Sequence, residues 1–488
     1  MSFNIPREIE NIAEKLQKAN FQAFLVGGCV RDLIIEREPK DWDIATNAKP
    51  DEIQKIFSDS VYENKFGTVG IKTGSKKPTL EIVEVTTYRL EGKYTDKRHP
   101  DEIRSAKTIE EDLSRRDFTI NALALSIAEG EKSKIIDPFA GQQDIENRII
   151  RTVGEPEERF SEDALRLMRA VRFAVELDFN IEEKTAEAIK KQAGLLEIIA
   201  KERVRDELEK IIMIASAARG IELLEKSGLL KYIMPELREG VGVGQNKHHI
   251  YTVFEHSLRS LDYAAKNNYS LEIRLAALFH DIGKPKTKKG EGPDSTFYNH
   301  EMVSAKMTAR ILDRLHFPKN LIEKVVHLVR YHLFYYNVGE VTEAGVRRFL
   351  QRVGPENVDD FIKLRQADRI GSGVPKAVPY KIRHLLFMIE KVKADPISAK
   401  MLKVSGKDVM EILNVLPGPR VGQILNILLD EIIENPEKNA PENLELRIKD
   451  LGKLSDAELE RSAKQAKERK EEFESGLEEG MKKKYYVK

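Results

Sequence analysis

A single cysteine, Cys29, stands among 488 residues. That excludes an intramolecular disulfide and a zinc site built from cysteines, and it predicts a reducing compartment, the cytoplasm. Long hydrophobic runs are lacking too. No stretch approaches the roughly 20 apolar residues that span a bilayer, and the opening MSFNIPREIENIAEKL has no apolar core of a secretory signal. Net charge is also missing, because 81 Lys+Arg balance 81 Asp+Glu. A uniformly basic nucleic-acid binder is thereby disfavoured, while a local basic groove on a neutral chain stays open. What the sequence does have is 41% hydrophobic residues, enough for cores, and 33% charged ones. At about 150 residues per domain, this length predicts three or four soluble domains.

Residues 1–150 alternate helical and strand-like patterns. Ile5 to Ala19 reads as an amphipathic helix, Phe24-Leu25-Val26 as a buried strand, and Val30 to Glu36 as a helix. Trp42-Asp43-Ile44, Thr68 to Lys72 and Leu80 to Tyr88 read as strands. A polar loop is expected from Glu91 to Lys107, a length that usually carries function or is disordered. Beyond about residue 150 the strand signals stop, and runs such as SEDALRLMRAVRFAVEL (161–177) repeat apolar residues at helical spacing. Glycines at 240, 242 and 244 mark a boundary.

Three constellations carry chemistry. In FLVGGCVRD, Gly27-Gly28 stand between a strand and a helix, where glycine lets the backbone approach a phosphate and Arg31 is one turn away. Alone this is equally an ordinary strand–helix turn. DWD follows, and in a strand Asp41 and Asp43 share a face. Two carboxylates that close repel unless a divalent cation neutralises them. A third acid, Glu84, sits in the apolar strand IVEVTTYR, where a lone carboxylate is costly. Metal-assisted phosphoryl transfer requires this set of groups.

GGxxRD followed by DxD resembles the polymerase-β nucleotidyltransferase superfamily. RRDFTINALAL (115–125), DPFAGQQDIENRIIRTVG (137–154) and EDALRLMRAVRFA (162–174) narrow the resemblance to class II tRNA CCA-adding enzymes and bacterial poly(A) polymerases. The resemblance implies an α+β chain: a nucleotidyltransferase head with a small mixed sheet, an all-α neck and body, an α-helical HD domain and a helical tail. Boundaries of 1–150, 151–238, 239–392 and 393–488 are expected. It further implies Mg²⁺ held by Asp41 and Asp43 with Glu84 assisting, nucleotide held by Gly27, Gly28, Arg31 and Arg116, and the partners tRNA, ATP and CTP. The 91–107 loop resembles the loop of enzymes able to place the terminal A.

The second constellation is EDALRLMRAVR, in which Asp163, Arg166, Arg169 and Arg172 recur every three residues and are expected to form a slowly winding stripe on one helix. A solvated charged face would look the same, but Leu165, Leu167, Met168, Val171 and Phe173 make the segment apolar elsewhere. Cytosine and adenine each show an amino donor beside a ring-nitrogen acceptor, whereas guanine and uracil show the reverse. A carboxylate and a guanidinium together would accept C and A and reject G and U. Asp163 and Arg166 match the family positions with that role, and Arg169 and Arg172 are expected at phosphates or the primer end. ERVRDEL (202–208) resembles the neck motif that organises this segment.

The third constellation is His256 in HSLRSL, His280-Asp281 in LFHDIGK and Asp368 in ADRIGSG. The order H…HD…D resembles the HD metal-dependent phosphohydrolases, with a transition metal such as Mn²⁺, Ni²⁺ or Co²⁺ as cofactor. His300, His327 and His332 are candidates for a second metal position. The expected activity is template-independent addition of C, C and A, or of the terminal A, to tRNA. EVTTYRLEGKY and the tail favour this over poly(A) synthesis on RNA ends, and the intact DxD and EDxxR count against an HD phosphohydrolase whose head only binds nucleotide.

Overall fold

A computed structural model describes residues 3–62, 67–91, 103–127, 134–246, 250–334, 336–393 and 401–487. Most of the expected 91–107 loop lies outside the described residues. The chain divides into two compact units, residues 1–333 with 363–377, and residues 334–362 with 378–488.

The first unit opens on the amphipathic helix Arg7–Lys18, whose Ile9, Ile12, Ala13 and Leu16 face inward. Strands follow at Ala23–Val26 (β1), Asp43–Thr46 (β2), Ser60–Tyr62 (β3), Thr68–Lys72 (β4), Ile82–Thr87 (β5), Arg89–Glu91 (β6), Ile103–Ser105 (β7), Ala124–Ser126 (β8) and Ile135–Ile136 (β9). Seven of them form one mixed sheet in the order β3-β4-β5-β2-β1-β8-β9. Only β2 and β5 run parallel in it, with Asp43 directly opposite Glu84. Period-two alternation sets what each strand buries. Val83 and Val85 are in the core, whereas Glu84 and Ile82 are exposed. This corrects the expectation of a carboxylate inside an apolar strand: Glu84 belongs to the open face of β5 and avoids the burial cost.

The helix expected over Val30 to Glu36 spans Gly28–Ile34, beginning directly after Gly27, whose φ of 78° favours glycine. The 137–154 motif proves architectural. Asp137 accepts from the amides of Gly141 (2.7 Å) and Gln142 (2.9 Å). Thr119 Oγ1 donates to Asp144 Oδ2 at 2.6 Å, which also accepts from Arg151 Nε at 3.1 Å. A strand signal persists past residue 150 after all, because Ile149–Ile150 (β10) pairs in parallel with Asn180–Ile181 (β11). The rest of the unit is helical, including Pro156–Glu162, Leu165–Glu176, Lys201–Met213, Val253–Lys266, Leu271–Phe279, His300–Arg314 and Lys319–Arg330.

The second unit is all-helical, with its own core of residues such as Val409, Ile424, Leu428, Ile448 and Leu459. Its last helix, Asp456–Tyr485, starts at a capping box between Ser455 and Glu458. No helix among the described residues is long and apolar enough to cross a membrane.

Gly141 tests the packing of the head. A Cβ there would stand 2.3 Å from the Thr119 carbonyl oxygen, and backbone cannot swing away as a side-chain tip can. Gly141→Ala should cost about 1–3 kcal/mol. The measurement is thermal unfolding, in which the head's transition should fall by several degrees, and an unchanged transition would refute this packing.

Candidate active site

All the head and neck residues singled out above except Gly27 line one cleft of about 1300 Å³. Gly27 acts from beneath it. A Cβ at Gly27 would meet Arg116 Nη1 at 2.5 Å, so the glycine makes room for that guanidinium. Arg116 itself reaches the Asn121 carbonyl at 3.4 Å and Asp112 Oδ2 at 3.6 Å. Its Nε is buried with no hydrogen-bond partner among the described residues, a donor available to an anion.

The three carboxylates meet at the start of β2. Strand geometry begins at Asp43, one residue later than expected, so Asp41 precedes it while Trp42 turns into the core. Burial, then Asp41 and Glu84 working against Arg116, push the Asp43 carboxyl up to about 7. Acids crowded this way favour a divalent cation, and an all-oxygen donor set suits a hard one. Beneath them Cys29 is buried, its Sγ donating to the Val26 carbonyl at 3.2 Å, and burial pushes its thiol up to about 12.

Opposite the acids stands a set of arginines, each already held. Arg31 donates to Asp32 Oδ1 from Nε (2.9 Å) and Nη2 (2.7 Å), and to Asn121 Oδ1 from Nη1 (2.6 Å). Arg169 donates to Asp117 Oδ2 at 2.7 Å, and Arg172 to Glu207 Oε2 at 2.7 Å. The guanidinium carbons of Arg31, Arg169 and Arg172 lie 5.4, 5.2 and 4.2 Å from the Phe173 ring centroid, within cation–π range.

Asp163 is not on the helix that carries the arginines. It ends the helix Pro156–Glu162 in extended backbone (φ −138°, ψ 104°), and its carboxylate accepts from the Leu165 amide at 3.1 Å, at the start of the next helix. Helical spacing alone does not reveal that break. Arg203 from the neck grips Asp163 with both terminal nitrogens, at 3.2 and 2.8 Å. Arg166 donates to Glu162 Oε2 (2.5 Å) and to the carbonyls of Arg159 (3.1 Å) and Arg115 (3.2 Å). The two groups line the same cleft, each locked in place by partners.

Asp117 was missed, although it ends the RRD motif. It is buried, and burial alone would raise its carboxyl, but Arg169 and Arg166 outweigh that and lower it to about 2. Phe173, which had read as core, and Asn121, which had drawn no reading of its own, line the cleft as well.

The HD residues converge in the same unit. Two buried groups fit metal coordination, His256 with His280 and Asp368, and Asp281 with His300 and His332. His256 Nε2 lies 2.9 Å from His280 Nε2 and 3.1 Å from Asp281 Oδ2, while His300 Nε2 lies 3.1 Å from Asp281 Oδ1. Asp281 therefore touches both groups. The Nδ1 atoms of His280, His300 and His332 face carbonyls three residues earlier at 2.9, 2.7 and 2.8 Å. A carbonyl only accepts, so each Nδ1 carries a proton and Nε2 is the atom turned inward. Burial would lower the His280 pKa, yet Asp281 and Asp368 raise it to about 10: these carboxylates demand positive charge. Of the candidates for a second metal position, His327 is the one left out, standing instead against the Tyr331 ring at 5.1 Å.

The raised Asp43 carboxyl has a measurable sign. Its folded value near 7 lies above the ordinary 3.8, so the proton binds the folded state more tightly. Ionisation then costs stability, increasingly from pH 4 to pH 7. Asp43→Asn should raise the metal-free melting temperature at pH 8 and leave it nearly unchanged near pH 4. Calorimetry in chelator checks this, and equal shifts at both pH values would refute the crowding.

Comparison with known proteins shows the family. Residues 23–151 match the family described as Poly A polymerase head domain. Residues 178–240 match "Probable RNA and SrmB- binding site of polymerase A", and residues 253–369 match the HD domain. The A-adding tRNA nucleotidyltransferase of Deinococcus radiodurans is 38% identical over 335 residues, 66% of this chain and 75% of that protein. The CCA-adding enzyme of Geobacillus sp. strain WCH70 is 34% identical over 443 residues, 89% of this chain and 94% of that protein. The crystal structure of the Bacillus stearothermophilus CCA-adding enzyme in complex with CTP superposes with a TM-score of 0.59 at 30% identity, covering 91% of this chain and 98% of that one. The chain belongs to the class II tRNA nucleotidyltransferase family of CCA-adding and A-adding enzymes, with a poly(A)-polymerase-type head and an HD domain.

Proposed function

We propose that this enzyme adds C, C and A to the 3′ end of tRNA in the cytoplasm, from CTP and ATP and without a nucleic-acid template. The observation that carries the reading is one cleft holding Asp41, Asp43 and Glu84 together with the locked pair Asp163 and Arg166. Mg²⁺ held by the three carboxylates would activate the primer hydroxyl and neutralise the departing pyrophosphate. The Gly28 backbone, Arg31 and the Arg116 guanidinium bind the triphosphate. Asp163 accepts from the exocyclic amine of cytosine or adenine, and Arg166 donates to the adjacent ring nitrogen. Because Arg203 and Glu162 fix these two groups, the choice of base costs little ordering when a nucleotide arrives. Arg169 and Arg172, tied to Asp117 and Glu207, present positive charge to phosphates without approaching the base. The CTP in the Bacillus structure supports CTP as a substrate here.

A second reading, addition of the terminal A alone, is favoured by the A-adding Deinococcus relative at 38% identity. The division into head (1–150), neck and body (151–238), HD domain (239–392) and tail (393–488) is part of the proposal, with neck and tail binding tRNA. So is a phosphohydrolase activity at His256, His280, Asp281 and Asp368, using Mn²⁺, Ni²⁺ or Co²⁺, with His300 and His332 completing a second position.

The deciding experiment offers tRNA lacking CCA, tRNA ending in C and tRNA ending in CC, with Mg²⁺, CTP and ATP, and reads products at single-nucleotide length. Growth of the bare primer by CCA followed by arrest is expected. Extension of the CC-ended primer alone would establish the second reading, and a long A ladder on unrelated RNA would refute both. Asp41→Ala and Asp43→Ala should lower addition at least ~10³-fold while leaving phosphate release by the HD cluster intact. Asp163→Ala or Arg166→Ala should weaken selection of CTP over UTP by roughly 10- to 100-fold, equivalent to about 1–3 kcal/mol. Competition assays with both nucleotides measure that ratio.

A further inference from the structure

Asp41 stands in a stretch of backbone with no regular structure of its own. Between the helix Gly28–Ile34 and β2 the chain forms neither helix nor strand, so local geometry does not fix where the Asp41 carboxylate points. Its two neighbours are anchored instead. Trp42 is buried on one side. On the other, Lys40 Nζ donates to Glu176 Oε1 at 2.8 Å, a partner 136 residues away at the end of the helix Leu165–Glu176.

A glutamate is out of place there by helix physics. The unpaired carbonyls of a helix end carry partial negative charge and disfavour a carboxylate, and only 13% of the Glu176 side chain is exposed. Three cations compensate. Besides Lys40, Arg172 Nη1 donates to Oε2 at 3.1 Å, and Arg37 Nη2 lies 3.5 Å from Oε1. Burial alone would raise the Glu176 carboxyl, but these cations outweigh it and hold it below the ordinary carboxylate range. Arg172 carries the connection further, since its Nε donates to Glu207 Oε2 on the neck helix Lys201–Met213. That same helix supplies Arg203, which grips Asp163. Ion pairs on the neck helix thus hold the base-reading carboxylate at one point and, through Arg172, Glu176 and Lys40, the segment of Asp41 at another. Arg37, Lys40, Asp41, Arg172 and Glu176 all line the catalytic cleft.

We propose that Glu176 is a positioning residue for nucleotidyl transfer, which acts through Lys40 to set the place of Asp41 and so the geometry in which the head's carboxylates receive Mg²⁺. The assignment rests on the reading of Asp41 as a Mg²⁺ ligand. Glu176 orients a ligand without being one, and losing a group of that kind commonly costs roughly 10- to 100-fold in metal affinity or activity.

The chain's one tryptophan, Trp42, stands between Asp41 and Asp43, so its fluorescence reports Mg²⁺ at the head and not at the histidine cluster. The full-length chain is titrated with Mg²⁺, without nucleotide or tRNA, while that emission is followed. Glu176→Gln and Lys40→Met should each raise the apparent Kd for Mg²⁺ roughly 10- to 100-fold. Lys40→Arg, which keeps the charge and the reach, should restore most of the affinity. The double variant should be no weaker than either single one, because both break the same tie. In primer extension the Mg²⁺ concentration for half-maximal addition should rise by the same factor. Selection of CTP over UTP should stay unchanged, since Asp163 and Arg166 keep their own partners. Lys40→Met decides by sign. Charge alone would make Mg²⁺ bind more tightly once a cation beside Asp41 is gone, so tighter or unchanged binding in that variant overturns the proposal. A raised KM for tRNA with Mg²⁺ binding intact also overturns it, and makes Lys40 a contact to RNA phosphate instead. The Lys40 side chain is 68% exposed, so its replacement keeps the fold and the result stands even where Glu176→Gln unfolds. Failure of the underlying reading looks different: Asp41→Ala would then leave both the fluorescence titration and addition to tRNA as in wild type.

Discussion

Asp117 holds the head and the neck segment in one geometry. Its carboxylate takes the Arg169 guanidinium from the helix Leu165–Glu176, the Phe118 amide at 2.9 Å and the Asn121 side-chain amide at 3.3 Å. Asn121 in turn receives Arg31, which continues to Asp32. A single buried charge thus spans from the helix after the Gly-Gly turn to the helix that follows Asp163. Removing one partner from such a chain leaves an uncompensated buried ion, which costs several kcal/mol. The cleft tolerates many arginines because most already have an acid: Asp32, Asp117, Glu162, Asp163 and Glu207 each hold one. Balanced charge at this scale explains how a chain with no net charge lines an anion-binding cleft.

How much of this was legible depended on sequence distance. Gly27 and Gly28 are adjacent and Asp41 and Asp43 stand two residues apart, and these local spacings suggested the chemistry. β4 was readable to the residue as Thr68–Lys72, although its first four residues are all buried and do not alternate. Glu84 was expected in the site and does line the cleft, but its exposure was misread, since alternation along β5 puts it on the face opposite Val83 and Val85. Arg203 and Glu207 reach back 40 and 35 residues to Asp163 and Arg172, and no local pattern encodes that pairing beyond the resemblance of the neck motif. The break at Asp163 escaped because the charged repeat of three runs straight through it.

The HD cluster shows the opposite case. Order along the chain was enough to find His256, His280, Asp281 and Asp368, yet the chain alone could not rank His300, His327 and His332. Orientation ranks them. His300 and His332 spend Nδ1 on a carbonyl one turn back and so aim Nε2 at Asp281, whereas His327 stands against a tyrosine ring. A helix end thereby sets the tautomer of a candidate metal ligand, a control that sequence spacing does not display.

The chain's one thiol lies beneath Asp43, nearly sealed from solvent and held far from its reactive, ionised form. Thiol reagents act on the thiolate, so this cysteine stays silent toward maleimides while the head is folded. A cysteine introduced on any exposed helix is then the sole labelling position in the native protein, and no background substitution next to the strand that carries Asp43 is needed. Dyes placed on the two compact units could report their distance during each round of nucleotide addition, in the wild-type active site.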